Sequence, residues 1–210
     1  MAIMEDVTFY AKAFISLLVL INPLEGIPIY LSGTEQATPE MRLAIAKRSA
    51  LAVTIILLAA LFLGKGLLAL FSISTGAFQI GGGLILFLIA VNMVLGAGGA
   101  PMKSADGKVT LQFAIVPLAI PIMAGPGAIN GAVLYGTQAP LWPGTIILAG
   151  VTILVGLATY GSLRAAVPLV KYLKTTGIDI ASRIMGLIIA AIAIEMVAHG
   201  IGSIFGLKVS

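Results

Sequence analysis

Charged residues are scarce in this chain of 210 residues. It has 12 Lys and Arg, 8 Asp and Glu and one His, so 10% of the chain is charged, whereas about a quarter of the residues are charged in ordinary soluble domains. Apolar residues make up 60% of the chain, and the mean hydropathy is +1.13. This composition excludes a soluble globular protein and predicts an integral membrane protein.

Cysteine is absent and histidine occurs once. Disulfides, thiolate metal sites and thiol catalysis are therefore excluded, and one imidazole cannot form a cluster of metal ligands. We expect no cofactor and no metal. The net charge of +4 does not indicate a nucleic acid partner, because the basic residues are dispersed at the ends of apolar stretches.

Long apolar runs are abundant, and a transmembrane helix needs about 20 mainly apolar residues. The candidate spans are residues 7–31, 43–64, 76–96, 111–135, 144–163 and 183–205. We predict an all-α integral membrane protein with six transmembrane helices in a single domain, residues 1–210. Its expected surroundings are the lipid bilayer.

The basic residues predict how these spans are oriented, because Lys and Arg are enriched in cytoplasmic loops. Nine of the twelve lie on one side of the predicted topology: Arg42, Lys47, Arg48, Lys103, Lys108, Arg164, Lys171, Lys174 and Arg183. Lys12, Lys65 and Lys208 lie on the other side. We predict a multi-pass protein of the cell (inner) membrane with both termini outside the cytoplasm.

The two halves of the chain match each other at a constant offset of 103 residues. Residues 83–94 (GLILFLIAVNMV) and 186–197 (GLIIAAIAIEMV) share seven identities, and LSGTE at 31–35 meets LYGTQ at 134–138. We predict two repeats of three helices, residues 1–103 and 104–210. An odd number of spans inverts the second repeat, as in many secondary transporters. A duplication kept only for packing is the alternative.

Proline and glycine interrupt the first and fourth spans at matching positions. Residues 21–30 read INPLEGIPIY and residues 117–130 read PLAIPIMAGPGAIN. Proline has no backbone N–H and suits the first turn of a helix. We therefore predict that helices 1 and 4 are broken at mid-membrane, with Pro23 and Pro126 starting the second halves.

A ligand site is expected at the two breaks, because non-helical backbone at this depth occurs only where it is buried in protein or lines a cavity. Helix N-termini attract anions, so unpaired amides at 24–26 and 127–129 suit a small carboxylate. The predicted substrate-binding residues are Asn22, Pro23, Leu24, Glu25, Gly26, Gly125, Pro126, Gly127, Ala128, Ile129 and Asn130. Small residues at 125, 127 and 128 predict a modest pocket. Two proline kinks without a ligand are the alternative.

Acidic residues inside apolar helices suggest a route for protons. Glu195 lies deeper in its span than any other acid, and Asn92 is its repeat counterpart. We predict proton coupling through Glu195, with Glu25 and Asn92 as further candidates. A neutral Glu195 that packs the bundle is the alternative. Glu25 either binds a substrate ammonium or is solvated near an interface, and His199 has either a hydrated surface role or a relay role.

The segments NPLEGIP and PIMAGPGAI, in a six-span chain of this length, resemble the MarC/SnatA family, described as small neutral amino acid transporters. The resemblance covers essentially the whole chain. It implies a secondary active transporter of glycine, alanine and similar amino acids, a proton symporter without a covalent cofactor. Members commonly read NPLG where this chain has Glu25 after Leu24, which puts an acid near the proposed site.

Other functions stay open at this point. Broken helices also line channels and facilitators, and an exporter of drugs or other small molecules would need a larger, more aromatic pocket. A membrane enzyme is disfavoured, because the chain lacks a metal cluster, a serine-histidine-acid set or two close intramembrane carboxylates. A homo-oligomer is compatible with these features.

Overall fold

The computed structural model describes residues 2–96, 111–139 and 141–207, and all regular structure within them is helical. The α-helices are α1 (Ala2–Ile21), α2 (Pro23–Gly33), α3 (Pro39–Leu70), α4 (Thr75–Leu95), α5 (Pro126–Gln138), α6 (Leu141–Arg164) and α7 (Ala166–Phe205). A 3-10 turn (Leu111–Ala114) and a π-helical segment (Ile115–Met123) precede α5.

Five helical stretches are long and apolar enough to cross a membrane: Val7–Gly33, Pro39–Leu70, Thr75–Leu95, Pro143–Arg164 and Thr176–Phe205. They coincide with five of the six predicted spans, so the all-α membrane fold is confirmed. The fourth predicted span, 111–135, consists of the 3-10 turn, the π-helical segment and most of α5. Six crossings therefore stay a prediction.

The first break is a single residue. Asn22 has φ 46° and ψ 67°, in the left-handed region, and α2 begins at Pro23. Asparagine is one of the few non-glycine residues that enter this region readily, and proline with its fixed φ suits the first helical position. The predicted interruption of the first span, with Pro23 starting its second half, is confirmed.

The second break is longer and has a different cause. Val116 and Ile120 have extended φ/ψ of −127°/121° and −124°/124° inside the π-helical segment. Each precedes a proline, and the proline ring disfavours the α conformation of the residue before it. Gly125 is extended at φ −75° and ψ 176°, and α5 begins at Pro126. The predicted start at Pro126 is confirmed.

Helices α4 and α7 pack as an antiparallel pair through small residues, which allow close approach in membranes. A β-carbon on Gly83 would lie 2.8 Å from the Ala193 carbonyl oxygen, and one on Gly186 would lie 3.1 Å from the Ala90 carbonyl oxygen. Subtracting 103 from 186 and from 193 gives 83 and 90. Gly83 and Gly186 are therefore repeat counterparts, and so are the residues that they contact, Ala193 and Ala90.

The predicted repeat boundary between residues 103 and 104 lies outside the described residues, as do Lys103, Lys108 and Lys208. The division into two repeats therefore stays a prediction. The main buried cluster joins α1, α3, the π-helical segment and α6 through residues such as Leu17, Leu57, Met123 and Val155. Ser49 of α3 donates from Oγ to the Ala114 carbonyl oxygen at 2.9 Å. This bond ties the approach to the second break to α3.

Candidate functional site

The two helix breaks adjoin in the interior. A β-carbon on Gly26 would lie 3.3 Å from the Met123 methyl carbon, so the first turn of α2 lies against the end of the π-helical segment. Asn22 Nδ2 is 3.8 Å from Met93 Sδ, and Gly127 lies against the Leu86 side chain. Leu86 and Met93 are seven residues apart on α4, about 10 Å along the helix axis. The starts of α2 and α5 therefore face one short stretch of α4.

Backbone amides at these starts lack partners within their helices, as the first turn of any helix does. The bonds from Glu25 N to Asn22 O and from Ile129 N to Gly125 O, each 3.1 Å, show where intrahelical pairing begins. The prediction of unpaired amides is therefore wrong for Glu25 and Ile129, because the chain curls into a turn immediately. Leu24, Gly127 and Ala128 supply the free amides.

Two buried asparagines lie beside the breaks, Asn22 at 4% exposure and Asn130 at 2%. Asn22 Nδ2 donates to Glu25 Oε2 at 3.2 Å, and Asn130 Nδ2 donates to the Phe78 carbonyl oxygen at 2.9 Å. These acceptors set the orientation of both carboxamides. Both Oδ1 atoms are buried without a hydrogen-bond partner. Since burying an unpaired acceptor is costly, each is suited to receive a donor from a ligand.

The predicted pocket at Gly125, Gly127 and Ala128 is wrong at Gly127. The Leu86 side chain occupies the space in which a side chain at Gly127 would stand, and Ala128 is fully buried. The glycine serves the close packing of α5 on α4, as Gly82 does against Asn130. The small residues therefore bring helices together at this point.

A cavity of about 420 Å³ lies between α1, α4, α5 and α7, and we call it the Glu195 cavity. Its polar lining residues are Lys12, Ser16, Gln79, Tyr135, Gln138, Glu195 and His199. Tyr135 Oη and Ser16 Oγ are hydrogen-bonded at 2.9 Å. Sequence reasoning missed Ser16, Gln79, Tyr135 and Gln138 as site residues. An isolated polar residue in an apolar helix, as at Gln79, was the available signal.

Glu195 differs from its prediction. Its side chain is 71% exposed, and Oε1 lies 3.6 Å from His199 Nε2. The expectation of a buried carboxyl is wrong, because α7 turns this position towards the Glu195 cavity, with His199 one turn further along. Asn92 is exposed on α4 and is not part of this lining. The structure thus does not bring Asn92 to Glu195.

Glu25 lies at a different cavity, of about 150 Å³, between α2, the end of α4 and α7. We call it the Arg183 cavity, and its lining includes Glu25, Met93, Asp179 and Arg183. Glu25 is half-buried and accepts the hydrogen bond from Asn22. The two candidate acids are therefore separated, one at each cavity. In the described part of the chain, no group of three or more Asp, Glu, His or Cys side chains could hold a metal ion.

Comparison with known proteins agrees with the membrane architecture. The family described as MarC family integral membrane protein matches residues 7–205. A relative in Escherichia coli, UPF0056 membrane protein YhcE, is 38% identical over 207 residues, covering 95% of each chain. The matched description names MarC, and the SnatA part of the resemblance stays a prediction.

Archaea have relatives too. A UPF0056 membrane protein of Pyrococcus horikoshii is 32% identical over 205 residues, covering 97% of this chain and all of the relative. One of Methanocaldococcus jannaschii is 32% identical over 200 residues, covering 93% of this chain and 97% of the relative. No solved structure matches the chain. With a family match over nearly its whole length, the chain belongs to the MarC family of integral membrane proteins.

Proposed function

We propose that this protein is a secondary active transporter of small neutral amino acids such as glycine and alanine, working by alternating access in the inner membrane with both termini outside the cytoplasm. One observation carries the proposal. The starts of α2 and α5 face the same stretch of α4, and a buried asparagine with an unpaired Oδ1 lies beside each.

A zwitterion fits the chemistry of this place. The free amides of Gly127 and Ala128 offer donors and a helix dipole to a carboxylate. At the other break, Asn22 Oδ1 and the Glu25 carboxyl, which Asn22 holds at 3.2 Å, offer acceptors to an ammonium group.

The inverted repeat is part of the same proposal. Helices α4 and α7 are antiparallel, and Gly83 and Gly186 meet each other's repeat counterparts. These exchanged contacts support a pseudo-two-fold axis perpendicular to the helices, the arrangement of transporters with inverted repeats. The second halves α2 and α5 would then start from opposite directions at one depth.

Proton coupling is proposed through Glu195. The carboxyl lines the Glu195 cavity and has His199 as a neighbour at 3.6 Å, so a proton can reach it from water. A carboxyl group that is loaded from one side and unloaded towards the other couples solute movement to a proton gradient. Glu25 at the opposite cavity is the second candidate.

The test is uptake of radiolabelled glycine and alanine into proteoliposomes, with and without an inward proton gradient. We expect gradient-driven accumulation in the native protein, none with Glu195→Gln, and a loss of at least about tenfold with Asn22→Gly, which keeps the left-handed backbone accessible. Glu40→Gln, which changes an exposed acid in the first turn of α3 that lines neither the Glu195 cavity nor the cavity at Glu25, is the matched control and should retain uptake.

Counterflow separates a carrier from a channel, because only a carrier exchanges internal unlabelled for external labelled solute against the net gradient. Failure of both amino acids to enter under any gradient would overturn the proposal. Accumulation that survives in Glu195→Gln would move the proton route to Glu25.

A further inference from the structure

The two cavities are repeat counterparts of each other. At the offset of 103 residues, four lining residues of the Arg183 cavity correspond to lining residues of the Glu195 cavity. The pairs are Pro28 with Gly131, Met93 with Met196, Gly96 with His199, and Ser182 with Gln79. The same exchange that relates Gly83 to Gly186 in the α4–α7 contact thus also relates the two cavities.

The counterparts differ in size and in exposure. The Glu195 cavity measures about 420 Å³ and the Arg183 cavity about 150 Å³. Met93 in the smaller cavity is 4% exposed, whereas Met196 in the larger cavity is half-buried. One sequence position, occupied by the same residue type in both halves, is therefore sealed on one side and reachable on the other.

One basic side chain, that of Arg183, joins α7 to the end of α4 beside the smaller cavity. Arg183 Nη1 of α7 donates to the Val94 carbonyl oxygen at 3.1 Å, and the guanidinium lies over Gly96, which ends α4 with φ 76°. A cation is favourable at a helix C-terminus, where carbonyl groups lack intrahelical partners. Asp179 and Arg183 are four residues apart, a spacing that favours an ion pair within a helix. The described residues do not form this pair, because the guanidinium reaches α4 instead.

Among the residues that the structure describes, no equivalent hydrogen bond joins α4 and α7 beside the Glu195 cavity. The repeat counterpart of Arg183 is Ile80, and that of Val94 is Val197. An isoleucine cannot donate a hydrogen bond to the facing helix. The difference in width thus coincides with a difference in chemistry at one matched position.

We propose that the Arg183 cavity is the second vestibule of the transport pathway, and that the Arg183–Val94 hydrogen bond is the latch that holds it narrow. The proposal rests on the proposed function for the solute that passes. The structure then represents the state open at the Glu195 cavity. Breaking the latch lets α7 part from the end of α4, so the Arg183 cavity widens while the Glu195 cavity narrows.

The chain has no cysteine, so a single introduced thiol reports access without background. Met93→Cys and Met196→Cys place that thiol at matched positions of the two cavities. The measurement is the rate of reaction with a charged, membrane-impermeant thiol reagent in purified protein. We expect slow labelling in Met93→Cys and fast labelling in Met196→Cys.

Adding Arg183→Gln to each variant tests the latch. We expect labelling in Met93→Cys to rise by about tenfold and labelling in Met196→Cys to fall, because two states in exchange must shift together. Arg48→Gln, a change at another exposed basic residue on the same predicted side of the membrane, is the matched control. It should leave both rates unchanged.

Unchanged rates with Arg183→Gln would overturn the latch. A rise at both positions would also overturn it, since it would mean general loosening, and the thermal midpoint of each variant checks that the fold persists. The readout needs no amino acid. If labelling changes reciprocally in a protein that does not accumulate glycine or alanine, the proposed substrate is refuted and the two vestibules are supported. If the protein accumulates these amino acids but labelling does not change reciprocally, the two vestibules are refuted and the substrate is supported.

Discussion

The two helix breaks occupy the same position in the two halves of the chain and are built in different ways. Between α1 and α2 the interruption is one left-handed residue, Asn22. Before α5 it extends over a π-helical segment with two extended residues, Val116 and Ile120, and closes on the extended Gly125. Proline starts the following helix in both cases, at Pro23 and Pro126. The shared element is therefore the restart, while each half stops its helix by its own chemistry.

The difference extends to what each break presents. The first exposes polar groups to the interior, with the Asn22 carboxamide bonded to the Glu25 carboxyl. The second places Gly127 against Leu86 and is surrounded by apolar side chains. Both breaks have free amides and a buried asparagine with an unpaired Oδ1, but only the first has a carboxyl group beside it, that of Glu25. This asymmetry suits a ligand that has one cationic and one anionic end.

The largest effect is expected from adding one methyl group at the tighter break. In Gly127→Ala the new β-carbon would overlap Leu86, so we expect a loss of about 1 to 3 kcal/mol in unfolding free energy. In Gly26→Ala the β-carbon meets only the flexible end of Met123 at 3.3 Å, and the better helix propensity of alanine, about 1 kcal/mol, offsets that contact. Denaturation in detergent measures both.

Combining Gly127→Ala with Leu86→Ala provides the control. The double variant should lose less unfolding free energy than the two single variants together, because Leu86→Ala removes the overlap. Equal losses at Gly26 and Gly127 would show that the two breaks are packed alike.

A smaller effect is expected from backbone strain at the first break. Asn22→Ala and Asn22→Gly both remove the carboxamide, but only alanine is strained at φ 46°. We expect the alanine variant to be less stable than the glycine variant by about 1 to 2 kcal/mol, measured as the difference in unfolding free energy.

Ile120 supplies the comparison in the second break. It is extended at φ −124°, which any residue adopts, so alanine at this position should be at least as stable as glycine. If glycine were more stable than alanine at both Asn22 and Ile120, the left-handed break and the extended break would not differ in backbone strain, contrary to this prediction.

The smallest effect concerns the bond that holds the approach to the second break. Ser49 is fully buried, and its one hydroxyl proton is shared between the carbonyl oxygens of Ile45 and Ala114, each 2.9 Å from Oγ. Ser49→Ala leaves the Ala114 carbonyl without this partner and should cost about 1 kcal/mol. Thermal unfolding in detergent measures it.

Ser162→Ala is the matched control, and its effect should be near zero. In the described part of the chain, the Ser162 hydroxyl donates only to the Ala158 carbonyl oxygen within its own helix. A similar loss in both variants would mean that the bond across to Ala114 adds nothing.

Local chemistry made the breaks predictable. Proline acts through its missing N–H and its ring, and both effects are confined to the nearest residues. The beginnings of α2 at Pro23 and of α5 at Pro126 could therefore be predicted from the sequence. The role of Gly127 could not, because a glycine that borders a pocket and a glycine that admits a leucine look the same in sequence. Leu86 is 41 residues away along the chain, and only folding brings it there.

Glu195 and Arg183 illustrate the same division. Their helix was predictable from its apolar residues, but the direction in which each side chain points depends on how α7 is rotated against α4. Sequence spacing favours an ion pair between Asp179 and Arg183, four residues apart, whereas in the structure Arg183 donates a hydrogen bond to the Val94 carbonyl oxygen. The guanidinium therefore binds the C-terminal end of α4, which is distant in sequence, instead of the acid on its own helix.

The sequence by itself determined that this protein is an all-α membrane protein, and where two of its helices stop and restart. Those properties depend on hydrophobicity summed over about 20 residues and on the backbone restrictions of proline, which act locally. The tertiary structure alone decided that the breaks adjoin, that Leu86 fills the space at Gly127, and that the two candidate acids lie at separate cavities of unequal width. These features depend on contacts between residues far apart in the chain, which close packing selects.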